Sequence, residues 1–174
     1  MSSSQWQKKK LKKAAQGAKV SKLYSKLVKV ITLEAKKANG NREASGLKAA
    51  IQKARDVDMP IDNIERAIKK ATESAEVFEQ LTYEAYGPGG VGLMIEVLTT
   101  SRNKASQEIK HILSEHSSAL GAQGSVSWGF TKEGAEWKPT MLTPISEEDA
   151  NALETLIDAL EENDEVQEVF TNAE

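Results

Sequence analysis

Residues 6–31 read WQKKKLKKAAQGAKVSKLYSKLVKVI. Lys8, Lys9, Lys10, Lys12 and Lys13 form a dense cationic lead-in. Lys19, Lys22, Lys26 and Lys29 then recur at i, i+3, i+7 and i+10. At 3.6 residues per turn, that spacing lines four ammonium groups along one stripe of a helix. Val20, Leu23, Leu27, Val30 and Ile31 fill a neighbouring apolar stripe suited to a core. A helix buried on one side and cationic on another suits a polyanion, although surface helices also carry lysines as a solvated face. The charge balance favours the polyanion. Residues 1–72 hold 18 Lys+Arg against 6 Asp+Glu, whereas residues 73–174 hold 5 against 20. Such an asymmetry between halves marks a nucleic-acid-facing segment.

Working outward, the lysine-rich start reads as an arm, because clustered like charges repel and Gly17 weakens a helix. Helix one is predicted over 19–37, ending at the turn signal Asn39-Gly40-Asn41. Helix two is predicted over 43–57, with Leu47, Ala50, Ile51 and Ala54 on one face. Met59-Pro60 breaks it. Asp62 then reads as an N-cap with Glu65 three residues on, opening a third helix to about residue 72. Ile64, Ala67, Ile68 and Ala71 form its apolar face, and Arg66, Lys69 and Lys70 lie outside it. Three short amphipathic helices make a small helical domain.

Beyond a polar, acidic connector at 72–80, strands are predicted over 81–86 and 91–99, around Gly87-Pro88-Gly89-Gly90. A helix follows over 103–118, a strand over 125–131 and an edge strand over 137–145, carrying Pro139 and Pro144. Ser146 reads as the N-cap of a helix to about residue 162, and a last strand is predicted over 166–171. The fold class is therefore α+β: an N-terminal three-helix domain, then a sandwich-like ββαβ–βαβ domain of ferredoxin-like type. The predicted division is 1–76, basic, helical and nucleic-acid-binding, and 77–174, acidic and α+β.

The chemistry-bearing motifs are weak. Gly87 to Gly92 matches G-x-G-x-x-G, but a strand follows where a dinucleotide loop opens a helix. A hairpin turn needing positive φ is the better reading. His111 and His116 lack metal-ligand spacing and a third ligand. Ser114 beside His111 has no orienting acid, so no triad is visible. Residues 145–174 hold eleven carboxylates and no Lys or Arg, a pattern typical of a solubilising face. Arg102, Asn103 and Lys104 sit at a strand-to-helix turn, where they either touch phosphate or serve the turn. Trp6 either stacks on a base or packs under helix one. With no cysteine in the chain, thiolate metal sites and thiol nucleophiles are excluded. The start MSSSQWQKKK lacks the apolar region of a secretory signal, and the most apolar run, 91–98, is too short to span a bilayer and contains Glu96. These readings point to a cytoplasmic, non-enzymatic protein with no metal and no cofactor.

Several of these residues resemble the YebC/PmpR family, which includes the mitochondrial translational activator of cytochrome c oxidase subunit I. The resemblance rests on Lys10, Lys13, Ala15-Gln16, Ala18-Lys19, Lys22, Tyr24, Lys26-Leu27 and Ile31. It continues through Ala54-Arg55, Met59-Pro60, DNIERAIKK at 62–70, YEAYGPGGVG at 83–92, Arg102-Asn103, Gly124-Ser125-Val126 and LIDALEENDEVQEVFTN at 156–172. The chain departs from the family pattern before Trp6, at Gly17 and Val20, and at Ser117-Ser118, where the pattern has a glycine pair. The largest departure lies between Lys132 and Trp137, where the family carries a third domain and this chain runs straight across. The resemblance implies a non-enzymatic regulator, either a DNA-binding transcriptional regulator or a ribosome-associated translation factor.

The expected phosphate-contacting set is Lys8, Lys9, Lys10, Lys12, Lys13, Lys19, Lys22, Lys26, Lys29, Arg55, Arg66, Lys69 and Lys70. Residues 1–72 carry 15 lysines and 3 arginines. Guanine readout favours arginine, so the balance tilts from a DNA reader towards rRNA or a ribosomal surface. The acidic domain is then a platform for a protein partner.

Overall fold

The computed structural model describes residues 20–174, which fall into two compact units, 20–79 and 80–174. In the first, α1 (Val20–Lys37), α2 (Ser45–Asp56) and α3 (Ile61–Glu73) enclose one core. Leu47, Ala50, Ile51 and Ala54 of α2 and Ile64, Ala67, Ile68 and Ala71 of α3 are all buried, as their spacing requires. Small alanines at these positions allow close approach of the helix axes. The stripe on α1 differs from expectation. Val20 and Leu23 are 50% and 42% exposed, whereas Ile31 is fully buried and Leu27 and Val30 pack against the same core as expected, joined by buried Ala35 and by Tyr24 and Val28. Tyr24 anchors this face by donating its hydroxyl to the carbonyls of Val57 and Asp58, both at 3.1 Å.

The C-termini of α1 and α2 and of the helix before Ser117 share a single device, whereas α3 runs into extended backbone at Ser74. Asn39, Asp58 and Ser117 are the non-glycine residues with positive φ among the described residues. Each is followed by an amide that reaches back five residues: Gly40 N to Ala35 O (2.9 Å), Met59 N to Ala54 O (2.9 Å) and Ser118 N to Leu113 O (2.8 Å). This is the Schellman arrangement, which satisfies carbonyls the helix leaves orphaned. The start of α3 corrects another expectation. Pro60, not Asp62, is the N-cap residue, with no side-chain capping bond, and Asp62 lies inside the first turn. Proline fits here because its missing N–H removes one orphan donor. At the other end of α3, Lys36 of α1 donates its ammonium to Ser74 O (2.5 Å) and Glu76 O (2.8 Å), tying down the segment that leaves the helix.

The second unit holds β1 (Glu79–Tyr86), β2 (Gly92–Thr99), α4 (Arg102–Glu115), β3 (Ala119–Leu120), β4 (Phe130–Glu133), β5 (Glu136–Pro139), α5 (Glu147–Glu162) and β6 (Val166–Thr171). Four strands form a sheet in the order β3-β1-β2-β6, with β2 and β6 antiparallel and β1 and β3 antiparallel. Every residue of β2 is buried. Its Leu93, Ile95 and Val97 face a core shared with Ile109 and Leu113 of α4 and Leu153, Leu156 and Leu160 of α5. Its Met94 faces the other way, into a smaller cluster with Val126, Phe130, Trp137 and Phe170. Strand β2 therefore reads as a continuous apolar run because both faces are covered. The class is α+β, as expected.

The strand expected over 125–131 is instead a turn and a short 3-10 segment (Ser127–Gly129) leading into β4. The edge strand expected over 137–145 shrinks to β5, which pairs with β4 as a separate two-stranded hairpin. Lys132 opposes Trp137 and Glu133 opposes Glu136, leaving Gly134 and Ala135 as the turn. Gly134 has φ of 62° at its first position, where such turns favour glycine. Glu96, buried on β2, holds the hairpin down: it accepts from Trp137 Nε1 (2.6 Å) and Thr82 Oγ1 (2.7 Å), with Lys132 Nζ at 3.9 Å. A buried carboxylate needs such partners.

Candidate nucleic-acid interface

Lys8, Lys9, Lys10, Lys12, Lys13 and Lys19 lie outside the described residues. Lys22, Lys26 and Lys29 lie on α1 at i, i+4 and i+7, away from Ile31 and Ala35. Each is half-buried, and none of the three stands free. Arg55 is exposed near the end of α2. Arg66, Lys69 and Lys70 are exposed on α3, on the face opposite its buried residues. They line one shallow, open depression together with Glu73 and Ser74. The fold thus gathers three of the expected cations into a patch that long side chains can reshape around a phosphate.

Arg42 is not among the expected cations. Its guanidinium forks onto both oxygens of Glu65, donating from Nη1 at 2.7 Å and from Nη2 more closely. The Arg42 hydrogen bond holds the Glu65 carboxyl below the usual carboxylate range, and the charge of Arg55 acts in the same direction. Glu65 is thus a surface ion-pair partner rather than half of a capping box. Arg42 follows the turn after α1, so no helical periodicity flagged it. Lys48 and Lys53 are also exposed on α2 and fall outside any stripe legible in the sequence.

The glycine-rich loop is a turn. Gly89 and Gly90 have φ of 74° and 77°, Gly90 N donates to Gly87 O (3.1 Å) and β2 follows directly. No helix N-terminus is therefore offered to a pyrophosphate there. His111 Nε2 lies 3.0 Å from Glu115, and His116 Nδ1 lies 3.1 Å from Ile112 O, so the two rings serve separate local contacts. Among the described residues no group of three His, Cys, Asp or Glu is placed to hold a metal ion, and no helix is long and apolar enough to cross a membrane. Lys104, at the strand-to-helix turn, pairs with Glu165 at 3.2 Å and so serves the fold.

Residues 4–74 match the family described as the TACO1/YebC protein N-terminal domain. Residues 78–136 and 132–173 match the TACO1/YebC second and third domain. A "probable transcriptional regulatory protein" of Halothermothrix orenii is 43% identical over 161 residues, covering 91% of this chain and 62% of the relative. A similarly named protein of Fervidobacterium nodosum is 34% identical over 229 positions, covering 96% of this chain and 91% of the relative. That alignment exceeds the 174 residues here, so at least 229 − 174 = 55 of its positions face a gap in this chain. The two segments matching the second and third domain meet at residues 132–136, in the β4–β5 hairpin. The crystal structure of a conserved hypothetical protein from Aquifex aeolicus superposes with a TM-score of 0.82 at 30% identity, over 90% of this chain and 91% of that one. This chain belongs to the TACO1/YebC family.

Proposed function

We propose that this chain is a non-enzymatic, nucleic-acid-binding regulator of gene expression that acts on RNA at the ribosome. The carrying observation is the exposed cluster Arg66, Lys69 and Lys70, set opposite a fully apolar face in the half of the chain that holds the positive charge. Arg55 and the α1 lysines Lys22, Lys26 and Lys29 add positive charge to the same unit, and the sequence supplies further lysines at Lys8, Lys9, Lys10, Lys12, Lys13 and Lys19. Such cations position a protein on phosphates without reading sequence. The excess of lysine over arginine favours a backbone-reading role on RNA over guanine readout in a duplex groove. The acidic unit repels nucleic acid and leaves docking to the helical one.

The second reading is a DNA-binding transcriptional regulator, favoured by the names the bacterial relatives carry. Sucrose-gradient sedimentation of the tagged protein from lysate, with and without nuclease, separates the two. Co-migration with ribosomes that is lost on nuclease treatment supports the RNA reading. Absence from ribosomal fractions, with one defined duplex outcompeting random duplex at physiological salt, supports the DNA reading and overturns the first.

A further inference from the structure

Trp128 is the most exposed large apolar side chain among the described residues, at 70%, and Tyr86 is 44% exposed. Both point their polar edges at the same atom. Trp128 Nε1 donates to Ser125 O at 2.8 Å, and the Tyr86 hydroxyl donates to it at 2.9 Å. With their donors satisfied internally, what the two residues leave to solvent is mainly ring surface, most of it on Trp128. The loop that carries Trp128 is held from beneath by Glu84, a buried carboxylate on β1. Its oxygens accept from the amides of Gly124 (2.6 Å), Ser127 (2.6 Å) and Val126 (2.9 Å), and its own carbonyl accepts from Gly121 N (2.8 Å). An exposed tryptophan on a pinned loop loses little entropy on binding. Tryptophan and tyrosine are also the side chains that dominate protein interfaces.

The charge of the unit that carries this loop indicates what fits it. Residues 117–131 contain no charged side chain, while residues 80–174 as a whole hold 17 acidic and 5 basic residues. The field of such a unit draws cations and repels polyanions. The same unit already contains one cation over an indole: Lys132 Nζ lies 4.9 Å from the centre of the Trp137 ring. We infer that Trp128 and Tyr86 form a docking surface for a cationic protein segment, with an arginine or lysine of the partner stacked on the free face of Trp128. This inference concerns residues 80–174 and stands whether or not the helical unit binds nucleic acid.

The test uses the 15N-labelled full chain at physiological salt. The Trp128 indole N–H resonance is identified by its loss in W128F. Three probes are titrated: a nona-arginine peptide, a nona-glutamate peptide and a single-stranded RNA decamer. The arginine peptide alone should shift the Trp128 resonance. W128A should bind that peptide about tenfold more weakly, while W128F, which keeps a π face, should stay within about threefold of wild type. An unmoved resonance, a resonance moved by RNA but not by the arginine peptide, undiminished binding by W128A, or equal losses in W128A and W128F would each overturn the inference. Equal losses would trace the effect to the indole–Ser125 bond rather than to the ring face.

Discussion

The helical unit and the α+β unit solve the same problem with different side chains. The first buries Ala35, Ala50, Ala54, Ala67 and Ala71 between helices, with Ile31, Leu47, Ile51, Ile64 and Ile68 around them. The second buries few alanines and relies on large aliphatics, with both faces of β2 covered. Polar satisfaction differs as well. Buried carboxylates, Glu84 and Glu96, organise loops in the second unit, whereas carboxylates in the first, such as Glu65, work at the surface. Small residues between helices leave long cationic side chains as the outward feature. Large residues around a sheet fix loops in place. The first arrangement suits adaptable contact with phosphate, and the second suits presentation of rigid side chains.

The contrast breaks most visibly in the cores. Leu156 is fully buried between helix and sheet, so L156A should destabilise the α+β unit by about 2–5 kcal/mol in denaturant melts, through lost transfer energy and a cavity. The helical unit should show the opposite sensitivity. Ala67 is 3% exposed in a close helix contact, so A67L should cost about 1–3 kcal/mol by overpacking. If A67L is neutral, the helices are not packed as closely as described.

Glu84 sharpens the comparison through pH. Burial pushes its carboxyl up, but the amides of Gly124, Ser127 and Val126 outweigh burial and hold it below the usual carboxylate range. Its folded value thus lies beneath an unfolded value of about 4.3. Its contribution is fully present above that pH and is lost as pH falls through the folded value. E84Q should cost about 2 kcal/mol at neutral pH, since charge-assisted bonds are the stronger kind. The gap between E84Q and wild type should narrow in acid. A gap that stays constant down to strong acid would mean the carboxylate is not the species holding the loop.

The smallest expected effect is a gain. Ser117 has φ of 55° at the end of α4, where a side chain is strained. S117G should stabilise the protein by about 0.5–1 kcal/mol, measured as a rise in melting temperature.

These details were unevenly legible. The faces of α2 and α3 were plain because each meets its core along one unbroken stripe. The α1 stripe holds at Leu27, Val30 and Ile31 and fails at its start, because Val20 and Leu23 share the right periodicity yet are left exposed, while Tyr24 packs against the core and Ala35 sits in it. Periodicity gives a direction but not the extent of the neighbour. The segment 125–131 has strand-like residues, but Glu84, some forty residues earlier in sequence, takes the amides a strand would have paired. A long-range side-chain bond of that kind leaves no local signal. The patch Arg66, Lys69 and Lys70 was readable from helical spacing, whereas the Arg42–Glu65 fork depended on a turn bringing two elements together.

The most direct test of the central claim is the salt dependence of binding to a fluorescent single-stranded RNA, for wild type and for R66E/K69E/K70E. Each neutralised phosphate contributes about −0.7 to the slope of log K against log salt on single strands. The account predicts a steep negative slope for wild type and one shallower by about 2 in the variant, with its helical content unchanged. A wild-type slope near zero, or an unchanged slope in the triple variant, would contradict it.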